Sequence, residues 1–273
     1  GHRQRLIDVA VEAGVAHSAD GRNQAGMGVA SSDCDGDGDL DLLVTNFSHD
    51  YNALYRNRGD GTFSESSFGS GIGAASMGVL GWSVGFLDYD NDGDDDLFVA
   101  NGHVYPQVGM GEGVGTRYAQ RNQLFENLGA GRFVDLSQRS GTGLRVRKSS
   151  RGAAFGDLDD DGDIDILVAN IDVTPALLRN DGGNRGRHLT VQLLDPTGLN
   201  RFAVGARVRV RMGNRFQVRE IRSGTGYLSQ DDLRLHFGLG DAAAAEELTV
   251  RWPGGEEESF GDVAGGRQVV ITR

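Results

Sequence analysis

The sequence predicts an all-β protein: three β-propeller-type blades, open or completed by another chain, followed by a small antiparallel β-sandwich. Three observations point there. A nine-residue acidic ladder occurs three times, the same order of short apolar strands surrounds each ladder, and strict polar–apolar alternation takes over after residue 187. The implied division is residues 1–184 for the repeats, with ladders at 33–41, 88–96 and 157–165, and residues 185–273 for the second unit.

The first ladder reads Asp-Cys-Asp-Gly-Asp-Gly-Asp-Leu-Asp, and the other two repeat it with different fillers. Carboxylates stand at positions 1, 3, 5, 7 and 9 of all three, with Gly38, Gly93 or Gly162 at position 6. Oxygen ligands at alternate positions can converge on one hard cation, and glycine allows the sharp turn between them. The pattern reads as calcium loops holding about three structural Ca2+ ions. Side-chain ligation is expected from Asp33, Asp35, Asp37 and Asp41, from Asp88, Asp90, Asp92 and Asp96, and from Asp157, Asp159, Asp161 and Asp165. Asp39, Asp94 and Asp163, at position 7, would offer main-chain oxygen. Position 12 is Val44, Val99 or Val168 where an EF-hand places a bidentate glutamate, so a strand should follow, not a helix. One acidic loop alone leaves the solvated turn as the lesser reading, and three identical spacings favour cages more strongly still. Neighbouring carboxylates about 4 Å apart repel by roughly 1 kcal/mol even in water, so such loops should open without a cation.

Around each ladder the strands follow one order. Residues 28–30, 82–87 and 152–155 lead in; residues 40–45, 97–100 and 164–169 lead out, apolar on both faces as buried strands are. Each outgoing strand ends in Asn46, Asn101 or Asn170. A hairpin follows: residues 52–57 return through Gly59-Asp60-Gly61 to 62–65, and residues 123–127 through Gly129-Ala130-Gly131 to 132–135. Four strands per unit make a propeller blade. Arg58-Gly59-Asp60 spells an adhesion tripeptide, but it occupies the turn that residues 129–131 also build, so a structural role is expected.

The opening Arg5-Leu6-Ile7-Asp8-Val9, followed by Gly14, matches Arg132-Phe133-Val134-Asp135-Leu136, followed by Gly141, at a constant offset of 127. It should form the outer strand of a blade whose other strands are absent. Residues 176–180 open a third hairpin, yet no return strand follows Asp181-Gly182-Gly183. One strand is spare and one place is empty. About four blades is the fewest that close a ring. Either upstream blades complete the array, or another copy does, its residues 3–10 entering beside residues 176–180.

Residues 66–81 and 104–120 are glycine-rich and read as rim loops, where binding surfaces commonly lie. His49 and His103 fall in matching places after a blade strand, with Asp172 near the third; they are expected as ordinary rim residues, a metal or ligand ring being the alternative. Beyond residue 187, strands are expected at 188–194, 205–211, 216–221, 233–237, 247–252 and 268–272. Arg207, Arg209 and Arg211 share one face, expected to be solvated more than docked.

Composition bounds the function. Glycine is abundant at 43 and proline scarce at 4 among 273 residues, which suits short strands and tight turns. The formal charge of −12 is concentrated in the ladders, which hold 17 of the 39 acidic residues; outside them 22 acids face 27 bases. That balance does not favour nucleic acid, and no apolar run approaches the roughly 18 residues of a membrane span. A single cysteine, Cys34, rules out an internal disulfide and reads as incidental. With no initiator Met and no visible signal peptide, the chain reads as a mature cleavage product or an excised fragment. There is no nucleophile elbow, His-Glu-x-x-His motif, phosphate-binding glycine loop or paired cysteine set. Cation-bound aspartates stay ionised and make poor acids or bases, so no enzyme is expected.

With these residues in hand, the repeats resemble the FG-GAP or VCBS repeats of integrin alpha-subunit propellers, whose calcium loops share this spacing. Gly205-Ala206-Arg207-Val208, Arg219-Glu220, Gly224-Thr225-Gly226-Tyr227-Leu228-Ser229-Gln230, Leu235-His236-Phe237-Gly238-Leu239-Gly240 and Val250-Arg251-Trp252-Pro253-Gly254-Gly255 resemble an ASPIC/UnbV domain. The whole chain looks like the C-terminal portion of a bacterial member of the cartilage acidic protein family, with fewer repeats than close a propeller. The resemblance implies calcium binding and secretion, to the extracellular space, the cell surface or the periplasm. It implies no activity, because the ASPIC/UnbV domain has no established chemistry. The expected function is a calcium-stabilised binding or assembly module whose partner is another protein or further copies of itself. The alternatives are a non-catalytic adhesion or ligand-binding fragment, or an enzyme with a site on the blade rim.

Overall fold

Short strands, glycine-rich turns and long-range pairing give an all-β chain, interrupted among the described residues by one five-residue helix, Ile72–Ser76 (α1), and one 3-10 turn. The computed structural model describes residues 6–109, 116–182 and 186–273. Among them, five small sheets of three or four strands stand in a β-propeller arrangement.

The first sheet runs Val29–Ser32 (β1), Asp41–Val44 (β2), Ala53–Asn57 (β3) and Phe63–Glu65 (β4), in that spatial order and antiparallel throughout. Gly81–Leu87 (β5) and Asp96–Asn101 (β6) begin the second. The two-residue Gln120–Arg121 (β7) then precedes Gln123–Asn127 (β8) and Phe133–Asp135 (β9), which complete the order β5-β6-β8-β9. Arg147–Lys148 (β10) pairs with β7 as a separate ribbon. The third sheet has Ser150–Gly156 (β11), Asp165–Asn170 (β12) and Ala176–Leu178 (β13), and stops at three strands. Its register matches the others: Ser32 faces Asp41, Leu87 faces Asp96 and Gly156 faces Asp165, so each ladder is closed at the same point.

Neighbouring sheets share their cores. Leu43 and Leu54 pack with Val84, Leu97 and Phe125; Phe98 and Leu124 pack with Phe155, Ile166 and Val168. The inner strands approach too closely for a side chain at two glycines: a Cβ on Gly85 would overlap the Phe155 ring, and one on Gly28 the Trp82 carbonyl. The 66–81 segment, expected as a loop, contains α1, whose Ile72 is fully buried in the core between the first two sheets.

The expected outer strand at residues 5–9 lies partly outside the described residues. Leu6, Ile7 and Val9 carry no regular structure and are exposed. A strand needs a partner edge, and no described strand of the same chain pairs with this segment.

The last ninety residues form Arg187–Leu194 (β14), Arg207–Met212 (β15), Arg215–Glu220 (β16), Leu235–Gly240 (β17), Ala244–Ala245 (β18), Glu247–Arg251 (β19), Glu257–Ser259 (β20), Val263–Ala264 (β21) and Arg267–Thr272 (β22). They pair as β17-β14-β22, β16-β15-β19-β20 and a β18–β21 ribbon. The expectation of a purely antiparallel arrangement is corrected here: β14 and β22 run parallel over six residue pairs. A parallel pair needs a long crossover, and the chain between these strands supplies one that includes the whole second sheet. Both sheets share one core containing Leu189, Val191, Val208, Phe237, Val250 and Trp252. Its 222–232 loop crosses the inner strands of all three repeat sheets. Arg222 Nη1 donates to the Ser31 carbonyl at 2.6 Å, Tyr227 N to Ser83 Oγ at 3.2 Å, and Asp232 N to the Phe155 carbonyl at 2.9 Å.

Candidate metal centres

The three ladders share one backbone shape. Position 4 is Gly36, Asn91 or Asp160 and position 6 is Gly38, Gly93 or Gly162; all six are left-handed, with φ between 58° and 95°. Glycine, asparagine and aspartate visit that region most cheaply, which accounts for the filler residues. At position 1, Asp33, Asp88 and Asp157 each accept from the position 6 N–H, at 2.9, 2.8 and 3.0 Å. At position 5, Asp37, Asp92 and Asp161 accept from the position 7 N–H, at 2.9, 2.8 and 3.0 Å.

Position 9 ties each ladder to its sheet. Asp41, Asp96 and Asp165 accept from the backbone N–H of Asn57, Asn127 and Asn180, at 2.8 Å in every case. Asn127 Nδ2 also donates to the Cys34 carbonyl at 2.8 Å, and Asn180 Nδ2 to the Tyr89 carbonyl at 2.7 Å, each reaching position 2 of the preceding ladder. These asparagines were missed as site residues, although each one closing its hairpin strand was a readable signal. Cys34, read as incidental, is buried with Sγ 2.9 Å from Asp41 Oδ2, and burial pushes its thiol pKa up.

One oxygen from each of Asp33, Asp35 and Asp37 lies within 4.8 Å of the others; the same holds for Asp88, Asp90 and Asp96, and for Asp157, Asp159 and Asp161. Ca2+–oxygen distances of 2.3–2.6 Å place two ligands of one ion at most about 5 Å apart, so each group fits a single ion. Asp92 at position 5 and Asp41 and Asp165 at position 9 fall outside these groups. The position 7 side chains turn elsewhere: Asp39 lies against the Gly59 turn, Asp94 pairs with Arg215 at 2.7 Å, and Asp163 accepts from Asn91 Nδ2 at 3.0 Å.

Electrostatics agree with a cation-shaped gap. Burial pushes Asp88 up to about 8, with Arg219 opposing the shift and Asp95 and Asp92 adding to it. Burial likewise moves Asp33 up to about 7, helped by Asp37 and Asp35, and Asp90 to about 6, helped by Asp92. Asp96 is raised well above the usual carboxylate range by burial, then by Asp88 and Asp90. Asp90 Oδ1 is buried without a hydrogen-bond partner, a costly state that a bound cation relieves. The residues present therefore fit Ca2+.

Acids at the other ladder positions seat the C-terminal sheets. Arg219 Nη2 meets Asp95 at 2.5 Å, with both side chains largely buried. Arg234 reaches Asp160 at 2.8 Å and the Asp157 carbonyl at 2.7 Å, and His236 Nε2 lies 2.5 Å from Asn91 Oδ1. Burial, then the charges of Arg219 and His188, holds His236 well below its usual pKa and keeps it neutral. The arginines singled out from the sequence do other work: Arg207 pairs with Glu220 at 3.5 Å, Arg211 with Glu246 at 2.5 Å, and Arg209 stacks over Phe216. Replacing Arg219 with Ala strands Asp95 as a buried charge, which costs about 3 kcal/mol. The expected result is a melting temperature about 10 °C lower in calcium buffer; unaltered melting would show that this pair does not hold the seat.

On the rim, His103 is buried against Phe47 and Tyr105, and its Nδ1 accepts from Tyr105 N at 3.1 Å. Burial, then the charges of Arg151 and His49, lowers its pKa. Its accepting nitrogen is already used, while Asp172 is exposed on a left-handed turn.

Residues 196–273 match the family model described as ASPIC and UnbV, and residues 33–99 and 113–168 match that of the FG-GAP-like repeat. The chain is similar to cartilage acidic protein 1 of Mus musculus, at 26% identity over 256 residues, covering 92% of this chain and 36% of the relative. Similarity to the Homo sapiens protein of the same name is 25% over 312 residues, covering 97% and 46%. For Xenopus tropicalis the figures are 27% over 254 residues, covering 92% and 36%. The chain thus spans less than half the length of each of these relatives. No helix among the described residues is long and apolar enough to cross a membrane.

Proposed function

Because this chain carries FG-GAP-like repeats followed by an ASPIC and UnbV domain, we propose that it is a non-catalytic, calcium-stabilised binding and assembly module acting outside the cell or at its surface. In this reading residues 1–184 are three blades and residues 185–273 a β-sandwich seated on them. Each ladder holds one Ca2+ through side chains at positions 1, 3, 5 and 9 and the main-chain oxygen at position 7. The observation that carries it is the threefold convergence of carboxylate oxygens, together with Asp90 Oδ1 buried without a partner. Bound calcium would neutralise the crowded charge and lock each ladder to its hairpin asparagine. Calorimetric titration of EDTA-stripped protein should give about three Ca2+ per chain by the ligand count of one ion per loop, and Asp88→Asn should remove one. Saturation at less than one ion per chain would sink the reading.

A separate observation favours assembly through a second copy. The Ala13 carbonyl accepts from Phe63 N at 2.8 Å, and the Ser70 carbonyl from Phe133 N at 2.7 Å. Gly14 and Gly71, the next residues, press against the Phe63 and Phe133 carbonyls, one on each outer strand. Gly141 is the third of this set, with φ 92°, and faces open space beside a sheet that ends at β13. Leu6, Ile7 and Val9, which match an outer strand in sequence, stand exposed at the other end. Residues 3–10 of one copy would add beside β13 of the next, joining copies head to tail.

A further inference from the structure

We infer that the groove bounded by β7, β10 and residues 78–79 is a binding site for a doubly charged tetrahedral oxyanion, sulfate or a phosphate monoester, held by Arg117, Arg121 and Arg147. It is a cavity of about 290 Å³ on a chain whose net charge is −12, and its lining is basic. Arg121 and Arg147 are direct cross-strand partners in the β7–β10 ribbon, so both guanidinium groups project from one face. Like charges in that register repel, and Arg117 adds a third. Partial burial, then the charges of Arg121 and Arg117, lowers the Arg147 pKa.

Among the described residues, three arginines against one carboxylate, Asp135, leave this groove net positive. None of the three side chains makes an ion pair among the described residues, and Arg121 Nε is buried with no hydrogen-bond partner. Asp135 lines the same groove, but its Oδ1 accepts from Ser137 N at 2.8 Å and also from Ser137 Oγ, and its Oδ2 accepts from Gln123 Nε2 at 3.2 Å. A buried donor without a partner is unfavourable. A guanidinium fork matches the edge of a tetrahedral oxyanion with two parallel charge-assisted bonds, and three forks around one groove suit a dianion better than chloride. The groove exceeds the volume of the bare ion, which leaves room for an ester group. The inference is independent of the calcium reading, because the groove shares no residue with the ladders.

The test is calorimetric titration of the calcium-loaded full chain with sodium sulfate and, separately, with methyl phosphate, against sodium chloride at matched ionic strength. Saturable 1:1 binding of either dianion above the chloride control is expected, the tighter arm identifying the free ion or the ester as the ligand source. Arg121→Gln and Arg147→Gln should each weaken it at least tenfold, while Arg251→Gln, on the exposed face of β19, leaves it unaltered. Arg147 is exposed, so its variant should keep native melting even if the Arg121 variant does not. Heats no larger than the chloride control for both dianions, or full affinity in a natively melting Arg147→Gln, would overturn the assignment.

Discussion

Removing calcium with EDTA is expected to lower the melting temperature by about 15 to 30 °C. A site with a dissociation constant near 10 μM gains about 2.7 kcal/mol from about 1 mM calcium, and three sites gain about 8 kcal/mol. That is on the scale of the 5–15 kcal/mol net stability of a typical domain. At about 2–4 °C per kcal/mol for a chain of this size, the shift follows. Scanning calorimetry with and without chelator measures it, and a change of only a few degrees would exclude a structural role for the ion. The metal-free protein should also be sensitive to pH. Asp88, Asp33 and Asp90 are raised to about 8, 7 and 6 from 3.8. Between those values the folded chain holds more protons than the unfolded one, so stability is greatest at the acid end and falls as pH rises through the folded pKa values. In EDTA, melting should therefore drop from pH 5 to pH 8. With calcium present the ions displace those protons, and calcium affinity should rise over the same window.

Deleting residues 1–10 is expected to convert assembled protein into monomers. Within that segment the described Leu6, Ile7 and Val9 match an outer strand in sequence, stand exposed and pair with no described strand. The receiving edge can be tested independently with Leu177→Pro in β13, where the side chain is more than half exposed. Proline removes an edge donor and stops strand addition without touching the core. Light scattering across a concentration series in calcium should show mass growth for the intact chain and none for either variant. An intact chain that stays monomeric, or a deletion that assembles as before, would exclude the strand-exchange reading.

Much of the site was legible because calcium loops are local. Alternate carboxylates and a position 6 glycine within nine residues specify a turn whose oxygens converge, and the observed left-handed positions 4 and 6 use the residue types such a turn needs. The strands around each ladder were readable for the same reason, since a short apolar run bounded by turn residues is a local signal. Their expected bounds fall within a few residues of β1–β6, β8, β9 and β11–β13, whereas the β7 and β10 ribbon was not expected. Residues 5–9 read as a strand because their pattern is right, yet Leu6 to Val9 are irregular, since strand geometry is completed by an edge and not by sequence alone.

What the residue order alone established was the number, spacing and chemistry of the acidic ladders and the strand grammar around them, because each is written in residues a few places apart. Three-dimensional packing alone decided the rest. The parallel β14–β22 pair, the link from Asn127 to Cys34 across 93 residues, and the approach of His236 to Asn91 across 145 carry no local pattern. The same holds for Arg219 on Asp95 and for the paired arginines of the β7–β10 ribbon. Such contacts arise when separately formed sheets bury their faces against one another, and the charge left facing each interface is set by which sheets meet there.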